Sequence, residues 1–234
     1  MESTETLTQV ERDARERLYP SLCNPSWLVL TKRREILSAW LNRLPPRELR
    51  VLDVGGRVQP YRPLLDGRPN RYVALDLKCT PVVDVVGQGE AMPFGGDTFD
   101  FVICAQMLEY APEPNRVIAE IYRVLKPGGS LFLSVPSVYP RETDNVCWRF
   151  MPHALRTLLS GFHQTEIVPE GTSISGLLRT ICACLVLFAR PAALRGLFRF
   201  TLVPALNLTA VGLEWMLPSF NDRFAANFSV WAQK

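Results

Sequence analysis

The chain has 234 residues, a length that suits one α/β domain because a core of this size already buries most of the surface of the unfolded chain. Hydrophobic residues make up 47% and charged residues 21%, which excludes a disordered or fibrous chain. The 26 basic and 23 acidic side chains leave a net charge of +3, with no long basic run to neutralise a phosphate backbone, so a nucleic-acid partner is not indicated.

The polar start MESTETLTQVERDARERL lacks the basic head and apolar stretch of a secretion signal, and a reducing cytoplasm is the expected setting. Residues from about Leu7 to Arg43 read as helical, with Trp27, Leu28, Leu30, Ile36, Leu37, Trp40 and Leu41 at roughly helical spacing until Pro45 and Pro46 stop the pattern. Short apolar runs of strand type follow: LRVLDV at 49–54, RYVALDL at 71–77, PVVDVV at 81–86, FDFVICA at 99–105 and SLFLSV at 130–135. Between the last two lies NRVIAEIYRVL, whose Val117, Ile118, Ile121, Val124 and Leu125 form one helical face. Apolar strands alternating with helices predict a parallel sheet covered on both faces.

After Val135 come a loop, PSVYPRETDNVCWRF, a helix over about 152–160, a strand candidate QTEIVPE, an apolar region at 174–218 and a last strand candidate NFSVWAQ. The longest uncharged runs of 174–218 are ICACLVLFA and FTLVPALNLTAVGL, the second broken by Pro204, Asn207 and Gly212. Neither reaches the ~20 apolar residues of a spanning helix. The region is read as two helices packed over the sheet with the stems of Arg179, Arg190, Arg195 and Arg199 turned outward, or as an interfacial surface or acyl-substrate lid that gives peripheral membrane contact. Cys23, Cys79, Cys104, Cys147, Cys182 and Cys184 are scattered, mostly in apolar runs, without a C-x-x-C pair; they read as buried free thiols, and no metal is expected.

VLDVGGR places an acid and two glycines where an apolar strand stops. Glycine there lets the backbone turn sharply and approach a ligand that a Cβ would exclude. A plain tight turn capped by Asp53 is the structural alternative. Asp76 ends the next strand candidate about twenty residues later, the position from which a carboxylate accepts hydrogen bonds from ribose hydroxyls in nucleotide-binding α/β folds. GGRVQP cannot supply G-x-G-x-x-G, which disfavours a nicotinamide-dependent oxidoreductase, and no P-loop pattern is present. A nucleoside without phosphates fits better.

In order along residues 50–135, VLDVGGR, YVALDLK, GQGEAMPFGGDTFDFVICAQMLEY and EIYRVLKPGGSLFLSVPS resemble the class I S-adenosylmethionine-dependent methyltransferases of the type 11 group, which includes quinone-biosynthesis enzymes. The resemblance implies an α/β, Rossmann-like three-layer sandwich with a mostly parallel seven-stranded sheet and an antiparallel last strand. Residues 1–48 would be an N-terminal helical extension and 49–234 the methyltransferase domain, with the helical insertion at about 174–218. It also implies S-adenosylmethionine as cofactor, with Asp53, Gly55 and Gly56 under the methionine part, Asp76 on the ribose hydroxyls, Leu77 against the adenine, Gln88 and Gly89 at the adenine edge, and Cys104, Ala105 and Gln106 facing the methionine amino group. Gly128 and Gly129 of LKPGG would form the turn into the fifth strand.

Three residues depart from the family pattern: Arg57 where a small residue is usual, Gln88 for Asp, and Tyr110 for a His after Glu109. Arg57 must point away or close on the cofactor carboxylate, and Gln88 can still accept from the adenine amine without charge assistance. The function implied is methyl transfer to a small-molecule acceptor; the apolar insertion points to a hydrophobic or lipid-linked one, and DNVCWRFMPHALRTLL is loosely similar to branches acting on sugars, lipids or secondary metabolites. The alternative is a methyltransferase-fold binding or scaffold protein without catalysis, motivated by Arg57 and Gln88. Methyl transfer requires positioning above all; if the acceptor is a hydroxyl, Asp144, His153 and Tyr139 are the candidate bases. In DNVCWRF, Asp144 and Arg149 could pair over the cleft while Trp148 and Phe150 supply aromatic walls, or the loop simply packs.

Overall fold

Side chains of successive strand residues point to opposite faces of a sheet, and in this protein each face has its own apolar cover. The computed structural model describes residues 5–68, 70–140, 144–217 and 221–234; readings placed on 1–4, 69, 141–143 and 218–220 lie outside the described residues. The strands are β1 (Leu49–Val54), β2 (Asn70–Asp76), β3 (Val85–Val86), β4 (Phe99–Ala105), β5 (Leu125–Pro136), β6 (Gln164–Pro169) and β7 (Asn227–Gln233). They form one sheet in the order β3-β2-β1-β4-β5-β7-β6, in which β1 to β5 run parallel and β7 is antiparallel to both its neighbours. This is the Rossmann-like three-layer arrangement expected from the sequence.

The helices are α1 (Leu7–Leu18), α2 (Trp27–Leu41), α3 (Pro114–Val124), α4 (Pro152–Leu158), α5 (Ser173–Phe188), α6 (Ala192–Phe200) and α7 (Leu202–Met216). On one face Val51, Phe101, Ile103, Phe132 and Trp231 pack with Leu37, Trp40 and Leu41 of α2. Trp40 meets Phe132 edge-on at 6.1 Å and Trp231 at 6.0 Å between ring centroids. On the other face Leu52, Val102, Leu131, Leu133 and Val230 pack against Val117, Ile121 and Val124 of α3 and Leu155 of α4.

Several elements differ from the sequence reading. The stretch read as one helix is two, because Pro20 and Pro25 interrupt it and Asn24 forms a turn there, its Oδ1 accepting the Ser26 N–H at 2.8 Å. β3 is only Val85–Val86, because the Asp84 carboxylate accepts the Ala74 N–H at 2.8 Å where a ladder partner would stand. The thiols are free, but Cys79 and Cys147 are exposed and Cys23 and Cys184 half-buried; only Cys104 and Cys182 are buried as expected.

The insertion holds three helices, not two. Gly176 of α5 passes so close to the Phe224 carbonyl that any Cβ there would overlap it. Arg179 does not point outward: it is buried, donating to Asn227 Oδ1 at 2.9 Å and Ser26 Oγ at 3.1 Å, with its guanidinium 3.9 Å from the centre of the Tyr139 ring. α6 and α7 abut at Thr201, so Ala192–Met216 is a 25-residue helical stretch long and apolar enough to cross a membrane, contrary to the reading from run lengths. Pro204 falls in the first turn of α7, where a missing N–H is tolerated, and therefore does not break the stretch.

A buried ion pair ties these layers together. Arg33 of α2 donates to both carboxylate oxygens of Glu170, at 2.8 to 3.0 Å, and to the Tyr61 hydroxyl at 3.2 Å. Ser134 of β5 and Ser229 of β7 donate to the same carboxylate at 2.5 and 2.7 Å. Removing one partner strands a charge away from water, so Arg33→Leu is expected to cost about 3–5 kcal/mol in urea unfolding, and Arg33→Leu/Glu170→Leu less than Arg33→Leu alone. A single-variant loss below about 1 kcal/mol would show that water reaches Glu170.

Candidate functional site

In open α/β sheets the ligand crevice lies beyond the carboxyl ends of the strands, where the strand order reverses. Here that point is between β1 and β4. The chain leaves β1 through Gly55, whose φ of 81° lies in the left-handed region, and the amides of Gly55 and Gly56 donate to the Leu75 carbonyl of β2 at 2.8 and 3.1 Å. Opposite stands Met107, after β4: a Cβ on Gly55 would sit 2.6 Å from Met107 Cβ, and the far end of the same side chain reaches Gly89. The segments after β1, β3 and β4 thus converge around one flexible thioether.

Asp53 and Asp76 stand at this edge in different environments. Asp53 is buried and accepts the Tyr72 hydroxyl at 2.6 Å. Burial pushes its carboxyl up to about 7; the Tyr72 bond works against this, and the neighbouring charge of Asp76 adds to it. Asp76 is half-buried, with Oδ1 accepting the Lys78 N–H at 2.8 Å, while Leu77 is 67% exposed and Gln88 is exposed. Cys104 is fully buried, and burial raises its thiol.

Gln106 adopts a left-handed φ of 56° and is held by its neighbours: its N–H donates to the Ser134 carbonyl at 2.8 Å and its Oε1 accepts from Asn227 Nδ2 at 3.2 Å. Asn227 in turn accepts from Arg179, so a chain of side-chain bonds joins the segment after β4 to the insertion helix α5.

The candidate bases are spread out. Tyr139 is half-buried under Arg179, and Asp144 and His153 are exposed, His153 in the first turn of α4. Arg149 donates to the carbonyls of Trp148, Tyr139 and Pro140 at 3.0, 3.5 and 3.3 Å. Trp148 is 43% exposed with its indole N–H on the Ala111 carbonyl, whereas Phe150 is buried in the core and supplies no wall. Arg57 turns to Glu5, with which it pairs. Among the described residues no group of three His, Cys, Asp or Glu side chains could hold a metal ion.

Sequence reasoning missed Met107, Tyr72 and Glu109. Glu109 is 4% exposed, its Oε2 has no hydrogen-bond partner among the described residues, and its backbone carbonyl accepts the amides of Cys147 and Trp148. Burial pushes its carboxyl up to about 7, against the opposing pull of its own backbone and of Arg33, Arg149 and Arg17. An acid between Leu108 and Tyr110 in the connection from β4 to α3 was the available signal.

Both buried carboxyls hold their protons more tightly in the folded state than the ~4 of an unfolded chain allows. Their contribution to stability is therefore lost as pH rises from about 4 to about 7 and is constant above that. Asp53→Asn, which mimics the protonated form, should raise the Tm by roughly 2–6 °C at pH 8 and hardly at pH 4. An equal shift at both pH values would sink this account of Asp53.

Comparison with known proteins places this geometry. Residues 52–133 match the type 11 family model described as a methyltransferase domain. A chloroplastic 2-methyl-6-phytyl-1,4-hydroquinone methyltransferase of Oryza sativa subsp. japonica is 33% identical over an alignment covering 56% of this chain and 45% of that protein, so the chain spans less than half the length of this relative. Among solved structures, the [4+2]-cyclase SpnF aligns with a TM-score of 0.56 at 19% identity, covering 99% of this chain and 97% of that one. A Haemonchus contortus N-methyltransferase in complex with S-adenosylhomocysteine aligns at 0.54 and 16%, covering 95% and 59%. Residues 52–133 are accordingly a methyltransferase domain of the type 11 group, and the sheet built on them is that of the class I S-adenosylmethionine-dependent methyltransferases.

Proposed function

We propose that this domain binds S-adenosylmethionine in the crevice between β1 and β4 and transfers its methyl group to a hydrophobic small-molecule acceptor. The observation that carries the reading is the convergence of Gly55, Gly89 and Met107 at the point where the strand order reverses, with the half-buried carboxylate of Asp76 beside it. A Cβ at Gly55 would overlap Met107, so the glycine lets the turn out of β1 lie against that side chain, whose flexible thioether can shift to admit a ligand close to the backbone.

In this reading Asp76 accepts the two ribose hydroxyls, Leu77 lies against the adenine, and Gln88 and Gly89 meet its edge. Asp53, Gly55, Gly56, Cys104, Ala105 and Gln106 border the methionine part. Bound S-adenosylmethionine supplies the activated methyl, and displacement at that carbon asks the protein chiefly for alignment and a water-poor setting. Gln106, pinned by Ser134 and Asn227, gives a fixed wall; Met107 gives an adaptable one. The pairing of Arg57 with Glu5 accounts for the long side chain at a position where the family has a small residue. The apolar insertion beside Tyr139, together with the phytyl hydroquinone named for the plant relative, supports a hydrophobic acceptor of quinol type.

Calorimetry with S-adenosylmethionine and S-adenosylhomocysteine tests the reading: absence of binding at millimolar ligand would leave a methyltransferase-fold protein with another role. Asp76→Ala should weaken S-adenosylhomocysteine by about 1.5–3 kcal/mol, roughly 10- to 150-fold, through loss of charge-assisted hydrogen bonds. Unchanged affinity would mean that the ribose lies elsewhere. With a radiolabelled methyl donor, a prenylated quinol should be methylated in preference to its short-chain water-soluble counterpart.

A further inference from the structure

The insertion leaves uncovered an apolar surface on which arginine is the prevailing charge. From Gly171 to Leu213 the chain contains four arginines, Arg179, Arg190, Arg195 and Arg199, and no aspartate or glutamate. Arg179 is spent inside the fold, and the other three lie exposed on α6 or just before it, Arg199 pairing there with Glu16 of α1 at 3.3 Å; Glu214, the first acid after this stretch, is turned to Thr172. α6 has no buried residue at all, although it carries Leu194, Leu197 and Phe200. On α5 the outward stripe Leu177, Ile181 and Phe188 stands opposite the buried Ser175, Arg179, Cys182 and Ala183; Phe188 is 81% exposed. On α7, Leu208, Val211 and Trp215 do the same, with Trp215 83% exposed. A cavity of about 290 Å³ between α5 and α6, walled by Ile181, Leu185, Phe188, Leu194 and Phe198, adds apolar depth. A continuous apolar surface of this kind marks an interaction site, and arginines among leucine, phenylalanine and tryptophan suit the headgroup boundary of a bilayer.

We propose that α5, α6 and α7 form a docking face for an anionic lipid bilayer, lying in the headgroup region with α6 deepest. The positive sign selects the partner, since each arginine near an anionic surface adds attraction while an acidic residue would oppose it. The same helices do not cross the bilayer. The inner face of α7 is held to the domain: Asn207 donates to the carbonyls of Leu22 and Asn24 at 2.8 and 3.1 Å, and Glu214 accepts from Thr172 Oγ1 at 2.6 Å. Spanning would strip these polar groups of their partners within hydrocarbon, and Arg195 and Arg199 would follow them. Docking does not depend on methyl transfer, but it sets the side of the domain bearing Tyr139 and α5 next to the reservoir in which a hydrophobic acceptor would dissolve.

The test is co-sedimentation of the full chain with phosphatidylcholine vesicles and with vesicles containing about one-third phosphatidylglycerol. Binding to the anionic vesicles is expected to exceed binding to the neutral ones at least about tenfold and to fall as salt is raised. Arg190→Glu/Arg195→Glu should lower it at least about tenfold, Arg190→Lys/Arg195→Lys should retain it, and Phe188→Ser/Leu197→Ser should weaken it on both vesicle types. Equal binding to the two vesicle types, no binding, or sedimentation as a dimer that buries this face would each overturn the proposal. Resistance to alkaline carbonate extraction would overturn it in favour of a spanning helix. Calorimetry with S-adenosylhomocysteine on the same variants separates the two readings: retained nucleoside binding without vesicle binding removes the docking face alone, and vesicle binding without nucleoside binding removes the cofactor reading alone.

Discussion

The carboxylate of Glu170 is where the layers of this molecule are joined. It sits just beyond β6, buried, and is held by Arg33 from α2, Ser134 from β5 and Ser229 from β7. An ion removed from water at this depth is tolerated only when its lone pairs are filled, so Glu170 and its three partners fix one another's places. The consequences reach the crevice directly, because Ser134 also receives Gln106 Nε2 at 3.3 Å and its carbonyl receives the Gln106 amide. The left-handed backbone of Gln106 is a strained conformation for a residue with a side chain, and it persists because its surroundings leave no alternative.

How much of this was readable from the sequence varies by element. β4 and β7 correspond residue for residue to FDFVICA and NFSVWAQ, since both are buried apolar runs bounded by polar residues or turns. β3 was read too long because an aspartate side chain can stand in for a ladder partner, and composition does not record what a carboxylate accepts. The break between α1 and α2 was written in Pro20 and Pro25 but masked by apolar spacing on either side. Arg179 was read as solvated because most arginines are; its turn inward depends on Asn227 and Tyr139, which are remote in sequence. The glycines and acids of the candidate site were legible as motifs, whereas Met107 and Glu109 gain significance only when loops from different strands are brought together.

The two acids at the edge of β1 and β2 show how one environment can separate like groups. Asp53 is buried with a tyrosine hydroxyl on it, and burial favours its neutral form; Asp76, half-buried at a strand end, accepts the Lys78 N–H. The buried acid at the root of the glycine turn and the partly solvated one at the end of the next strand differ chiefly in how much water each keeps. The insertion adds a third component, an apolar roof anchored by polar bonds at Asn207 and Glu214.

The bond from Arg179 to Asn227 also bears on how such insertions can be exchanged. Asn227 is fully buried and lies between α5 and Gln106, so its carbonyl oxygen needs a donor from whatever chain replaces 173–217. A transplanted insertion with the right length and polarity but an aliphatic residue at that point would leave an amide unsatisfied one bond away from the crevice. Exchange of this insertion is therefore limited to inserts that deliver one hydrogen-bond donor inward, and a chimera built without regard to that donor would release Asn227 and with it the position of Gln106.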